Sequence, residues 1–292
     1  MTTEGIANGL GTGGLRLWVQ EMHLRRKGLG QEVQIRVPEL RLQHGSLAVV
    51  LGPNGSGKST LFDMLALILS SDRVDRFDLY DGERTLNLCA VSRQQGALIR
   101  RRYFAYVLQT GGLLDFLTVG ENIRFAARLS GKSPRRIDEV TASLGLQGLL
   151  AMHPGQVSGG QRRRAALARA LVQEPRILLA DEPTADLDSA SARIVLDAFR
   201  ELARSYATSV LMVTHDEALV HGRADAIYRF VSRPAGHGVS VSTLESRSPH
   251  ADRTPKRSAT DITTGIAVHQ EPVPQYDVAA MIPHPGFASV LS

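Results

Sequence analysis

A single cysteine, Cys89, stands in 292 residues. It has no partner for an internal disulfide, it excludes a cysteine-based metal cluster, and a lone thiol suits a reducing compartment. Long apolar runs are missing too: none approaches the roughly 18 residues that a bilayer span requires. The N-terminal stretch MTTEGIANGLGTGGL has neither a basic nor an apolar segment, so no signal peptide is expected there. Charge of one sign is also scarce. Lys and Arg number 34 against 29 Asp and Glu, and the net charge of +5 is too diffuse to call for nucleic acid as a partner. No internal repeat is visible, so one copy of any site is expected per chain. These absences predict a cytosolic protein whose membrane role, if it has one, comes through a partner.

What is present is ordinary globular material, with 43% hydrophobic and 22% charged residues, enough to bury a sizeable sheet. Residues 1–14 are rich in Gly and Thr and read as a loose lead-in. From Leu15 the pattern alternates as half-exposed strands do, over 15–22 and 34–37, and LAVVL at 47–51 reads as a strand buried on both faces. A helix is expected over 58–69. Ser133-Pro134, an N-cap followed by a first-turn proline, opens another that runs to about Leu144. A third is predicted over 160–173, with Ala166, Leu167, Ala170 and Leu171 as its apolar stripe. Strand patterns at 177–180, 209–213 and 226–231 flank a helical pattern at 189–205. Strands alternating with helices imply an α/β fold with a mainly parallel sheet covered on both faces. Near Pro234 the composition turns to Ser, Thr, Pro, His and Gly, and 234–292 reads as a tail with too little apolar surface to offset the entropy of ordering.

Gly52-Pro53-Asn54-Gly55-Ser56-Gly57-Lys58-Ser59-Thr60 matches the phosphate-loop pattern G-x-x-x-x-G-K-[ST] without a mismatch, between a buried strand and a helix start. Glycines there let successive backbone N–H groups converge on one anion, and the helix N-terminus adds its positive dipole end. Lys58 is placed to reach the β- and γ-phosphates of a nucleotide, Ser59 to ligate Mg²⁺, and Thr60 to hold the α-phosphate. Such a site needs a carboxylate at the end of a neighbouring buried strand. Asp181, directly after ILLA, is the expected metal ligand, and the next residue, Glu182, is the candidate general base.

With those two halves in place the sequence resembles the ABC ATPase family. The diagnostic element is Val157-Ser158-Gly159-Gly160-Gln161-Arg162, which differs from the family signature LSGGQ only at its first residue. The exposed N–H groups opening that helix make a second anion site in one chain. The resemblance, spanning roughly 15–232, implies a phosphate-loop NTPase fold with a small antiparallel β subdomain and a helical signature subdomain over about 110–165. It implies that MgATP is sandwiched between the phosphate loop of one copy and the signature of a second, in a head-to-tail dimer that drives a transmembrane permease. Three further matches follow the family order. Gln109 resembles the glutamine that touches Mg²⁺ and the attacking water near the permease contact. Ala185-Asp186-Leu187-Asp188 resembles the segment crossing the dimer interface. His215 resembles the histidine on the γ-phosphate.

LQTGGLLDFLTVGENI and ARALVQEPRILLADEPTADLD are most similar to the lipoprotein-release, macrolide-export and cell-division group. One departure concerns the base. The family stacks adenine on an aromatic residue near the first strand, whereas this chain reads His23-Leu24-Arg25-Arg26, so Arg25 or Arg26 is expected to take that place. A soluble ABC ATPase of DNA repair or translation is the alternative function, disfavoured by the single cassette, the single cysteine and the absence of a heptad run. A non-hydrolysing regulatory subunit is disfavoured by the intact Lys58, Asp181, Glu182 and His215. The arginine triplets at 100–102 and 162–164 are read as solvated helix faces.

Overall fold

LAVVL at Leu47–Leu51 (β3) is buried at all five positions, as a strand covered on both faces must be. In the computed structural model, which describes residues 14–27, 32–82, 85–108, 111–185, 189–236 and 238–247, β3 lies inside a ten-stranded sheet. The other strands are β1 (Leu15–Lys27), β2 (Glu32–Gln43), β4 (Arg76–Tyr80), β5 (Thr85–Asn87), β6 (Phe104–Val107), β7 (Ile177–Asp181), β8 (Ser209–Thr214), β9 (Ala226–Pro234) and β10 (Val239–Arg247). Their order is β5-β4-β1-β2-β10-β9-β3-β8-β7-β6. From β9 to β6 all neighbours are parallel, and the β5-β4-β1-β2 end is antiparallel. The antiparallel strands thus continue the parallel sheet.

Helix α1 (Lys58–Leu65) packs Leu61, Phe62, Met64 and Leu65 onto one face of the sheet, in a core that includes Val50, Leu179 and Leu211. It is shorter than the sequence pattern suggests, because residues 66–69 bond back to Phe62, Met64 and Asp63 in turns. Helix α2 (Arg93–Tyr103), opened by a Ser92–Gln95 capping box, adds Tyr103 to that core. The opposite face carries α6 (Ser189–Tyr206) and α7 (Glu217–Val220), through Leu196, Phe199, Leu202, Leu219 and Val220. Helices α3 (Val119–Ser130), α4 (Pro134–Ser143) and α5 (Gly159–Leu171) share a cluster of their own around Val119, Ile123, Val140, Leu146 and Ala165. Among the described residues no helix is long and apolar enough to cross a membrane.

The expectation of an unstructured tail from Pro234 onward is corrected for 239–247. That segment forms β10, parallel to β2 and antiparallel to β9, and it is the strand that joins the two halves of the sheet. Its Ser-rich composition hides an alternation in which Ser242 and Leu244 are buried, and Ser242 shares a 2.8 Å hydrogen bond with Ser232. The lead-in at 1–13 and the tail from 248 lie outside the described residues.

Candidate nucleotide site

The parallel register brings the chemistry to one edge of the sheet. Leu51 pairs with Thr214 and Asp181 with Val213, so the phosphate loop after β3, the carboxylates at the end of β7 and His215 after β8 all emerge at the C-terminal strand ends, where open α/β sheets bind ligands. A cavity of about 730 Å³ opens there. Asn54, Gly55, Lys58, Asp181, Glu182 and His215 are among the residues that line it.

Gly57 turns the loop into α1 with φ 101°, and a Cβ there would meet Ile35 Cδ1 at 2.8 Å. Only glycine combines that backbone angle with that approach to β2. The turn directs Lys58 inward, and its Nζ donates to the carbonyls of Gly52 (2.8 Å) and Pro53 (3.1 Å). Lys58 Nζ also lies 3.5 Å from Glu182 Oε1. Glu182 holds φ 47°, a left-handed conformation uncommon for a non-glycine residue, and is fixed by its N–H donating to Val213 O at 3.0 Å. Strain of this kind persists where neighbouring structure over-determines the backbone, typically at functional sites. Its second oxygen, Oε2, is 3.0 Å from His215 Nδ1. Glu182 is nearly enclosed, whereas the His215 side chain is 63% exposed and free to meet a ligand.

Burial, the largest cause, raises the Asp181 pKa above the ordinary carboxylate value; the Ser59 hydroxyl opposes this by hydrogen-bonding the carboxylate, repulsion from Glu182 adds to the rise, and attraction to Lys58 works against it. Tyr106 on β6 faces Asp181 as well, and burial and the nearby carboxylates push the phenol far above its usual range. Tyr106 packs edge-on against Phe62 of α1, with ring centroids 5.8 Å apart. This pairing through Tyr106 has no signal in the sequence, because it depends on β6 and α1 meeting over β7.

Ser158 caps α5, its Oγ accepting from Gln161 N (3.3 Å) while Gln161 Oε1 accepts from Ser158 N (2.8 Å). Ser158, Gly159 and Gly160 are exposed, and neither they nor Gln161 line the cavity at the phosphate loop. The structure therefore does not unite the two predicted anion sites within one chain. The arginine triplet that follows is engaged locally: Arg162 donates to Pro154 O (3.1 Å), Arg163 to Ala185 O, and Arg164 to Leu144 O (3.0 Å). Gln109 and residues 186–188 lie outside the described residues. Of the two arginines expected near a base, Arg26 lines the cavity and its Nη1 approaches Thr60 Oγ1 at 3.4 Å, whereas Arg25 faces a separate cleft beside Asp72.

A structural residue that sequence reasoning passed over is Asn122 on α3. It is 1% exposed, accepts from Leu114 N (2.8 Å) and donates to the carbonyls of Leu114, Leu117 and Thr118. It fastens the loop before α3 to that helix.

Known proteins agree with this geometry. The family model described as ABC transporter matches residues 35–185. The ABC transporter ATP-binding protein YxdL of Bacillus subtilis is 38% identical over 205 residues, covering 68% of this chain and 77% of that protein. The lipoprotein-releasing system ATP-binding protein LolD of Nitrobacter winogradskyi is 36% identical over 207 residues, covering 70% and 85%. Among solved structures, a dimeric form of MJ0796, a bacterial ABC transporter cassette, superposes with a TM-score of 0.64 at 25% identity, covering 73% of this chain and 93% of that one. With its phosphate loop, strand-end carboxylates and signature helix in the family order, this chain belongs to the ABC transporter family, as an ATP-binding subunit with ATPase activity.

Proposed function

We propose that two copies of this chain pair head to tail around two MgATP, and that closing and opening of the pair drives a transmembrane permease from the cytoplasmic face of the membrane. The observation that carries the reading is the separation of the two anion sites: the signature residues Ser158, Gly159, Gly160 and Gln161 lie outside the cavity at Lys58. A second copy supplies them. ATP then closes the pair because its γ-phosphate gives contacts to both chains that ADP lacks.

The residues present suit a magnesium ion carried in by the nucleotide. Asp181 and the Ser59 hydroxyl provide two oxygen donors side by side, and among the described residues no cluster of three or more His, Cys, Asp or Glu forms a cage of its own. Mg²⁺ is commonly held by one or two protein oxygens plus phosphates and water. When bound, it neutralises charge on the phosphoryl group. Glu182 orients or deprotonates the attacking water, Lys58 and His215 meet the developing charge, and Gln109 is assigned to the water and the metal. Gly52, Pro53, Asn54, Gly55, Ser56, Gly57 and Thr60 complete the phosphate cradle, and Arg26 takes the place of the absent aromatic beside the base.

For the permease, an apolar cleft of about 400 Å³ is lined by Ile68, Phe104, Tyr106, Phe125 and Leu129, with Arg100 at its rim. Ile68, Phe125 and Leu129 are exposed. A short helix of the permease fits that cleft, next to the β6 strand that leads toward Gln109. The dimer is tested by sedimentation of the Glu182→Gln protein with and without ATP. Dimer in ATP and monomer in ADP is the expected result; a monomer in both, with the permease supplied, overturns it.

A further inference from the structure

A second cavity, of about 450 Å³, lies at the opposite edge of the sheet, where β6, β7 and β8 begin. Four cations line it: Arg102 at the end of α2, Lys132 after α3, Arg136 on α4 and Arg176 just before β7. Two carboxylates, Asp81 and Glu174, line it as well, and a third, Glu139, pairs with Arg136 Nη1 at 3.3 Å. Glu174 is shared, 2.6 Å from Lys132 Nζ and 3.4 Å from Arg136 Nε, and Asp81 accepts from the Tyr103 hydroxyl at 3.0 Å. Arg102 and Arg176 form no ion pair among the described residues. Both arginines are solvent-exposed at the mouth of the cavity.

The surroundings add positive charge. Arg16, 1% exposed, sits behind the cavity with its Nη1 donating to Tyr80 O at 2.6 Å and its Nε buried without a hydrogen-bond partner. Burial and then repulsion from Arg176 make its charge harder to hold, and His44 is pushed the same way by burial, Arg16 and Arg176. Two of the guanidinium groups also lie within cation–π range of a ring. Arg136 lies over the Tyr206 ring at 5.6 Å and Arg102 over the Tyr103 ring at 5.4 Å. Planar guanidinium groups suit the paired oxygens of phosphates, and the cation excess of the lining favours a multivalent anion over a monovalent one.

We propose that this cavity binds a small soluble multivalent phosphate of the diphosphate class, clamped between Arg102 and Arg176 on the sheet side and Lys132 and Arg136 on the helical side. The site goes beyond the nucleotide-driven function above and does not depend on it. A bound diphosphate would tie the connection between α3 and α4 to the base of the sheet, remote from the strand edge that carries Lys58.

Pyrophosphate is the probe, titrated calorimetrically into the full chain carrying Lys58→Ala, which removes the cation of the phosphate loop. One saturable equivalent is expected, and adding Arg102→Gln and Arg176→Gln should raise Kd by about tenfold or more, the scale of losing two charge-assisted contacts. Arg102→Lys with Arg176→Lys should restore part of the affinity. ATP binding in the Lys58-intact protein reports folding and should be unchanged by the glutamine pair. Absence of pyrophosphate binding, or binding equally tight with both arginines replaced, overturns the proposal. So does sedimentation with phosphatidylglycerol vesicles that requires Arg102 and Arg176 while pyrophosphate fails to bind, since the phosphate would then be a lipid headgroup.

Discussion

Glu182 Oε2 stands 3.0 Å from His215 Nδ1, while Oε1 of the same carboxylate stands 3.5 Å from Lys58 Nζ. One buried carboxylate is therefore gripped from both sides by groups that also line the nucleotide cavity. Glu182→Gln keeps the shape and removes the base. Its steady-state ATPase rate should fall by about 10²- to 10⁴-fold, the usual range for a general base, with nucleotide binding retained. A phosphate-release assay showing normal turnover would assign the base elsewhere.

The apolar cleft beside β6 leads to a second expectation. Leu129→Asp places a charge at a site that is 54% exposed, where a substitution costs little stability, so the isolated chain should fold and bind ATP as before. Co-purification with the permease should drop, and the permease's stimulation of ATP hydrolysis should be lost. Undiminished coupling in membranes would place the contact on another face.

Asn122 makes four hydrogen bonds from a fully enclosed position. Truncation by Asn122→Ala leaves buried backbone groups unpaired and should cost about 2 to 4 kcal/mol of unfolding free energy. Denaturant titration reads the loss, and limited proteolysis should cut first in 113–118. A midpoint within error of the wild type would show that the loop is held by other contacts.

His44 gives a pH dependence. Burial, then Arg16 and Arg176, hold its pKa below the ordinary 6.5, so the unfolded chain takes up a proton before the folded one does. Its effect on stability is absent well above pH 6.5 and becomes a loss as pH falls below it, toward the lower folded value. Since the side chain is exposed, the effect is small. Melting temperature should decline more steeply between pH 7 and pH 5.5 in the wild type than in His44→Gln. Parallel curves would remove His44 from the account.

What was legible in the sequence is what lies close together along it. The phosphate loop from Gly52 to Thr60 and the cap at Ser158 are local patterns, each tied to the start of one helix, and the buried strands LAVVL and ILLA announce themselves by composition. The three-way contact of Lys58, Glu182 and His215 requires knowing that β3, β8 and β7 lie side by side, which no spacing reveals. Asn122 carries no signal of its own, because its partners are set by how the loop before α3 folds back on that helix. Strand β10 was hidden for a different reason: Ser and Thr fill several positions in Val239–Arg247, one of them the buried Ser242, so the segment's average polarity masks its alternation.

That strand sets how much of the chain the sheet depends on. Shortening the chain at Pro234 would leave β2 and β9 as two raw borders with unsatisfied N–H and C=O rows, an invitation to stick to other chains. A chain that keeps Val239–Arg247 keeps the seam between the halves stitched, so these nine residues act as the keystone of the whole span from Leu15 onward.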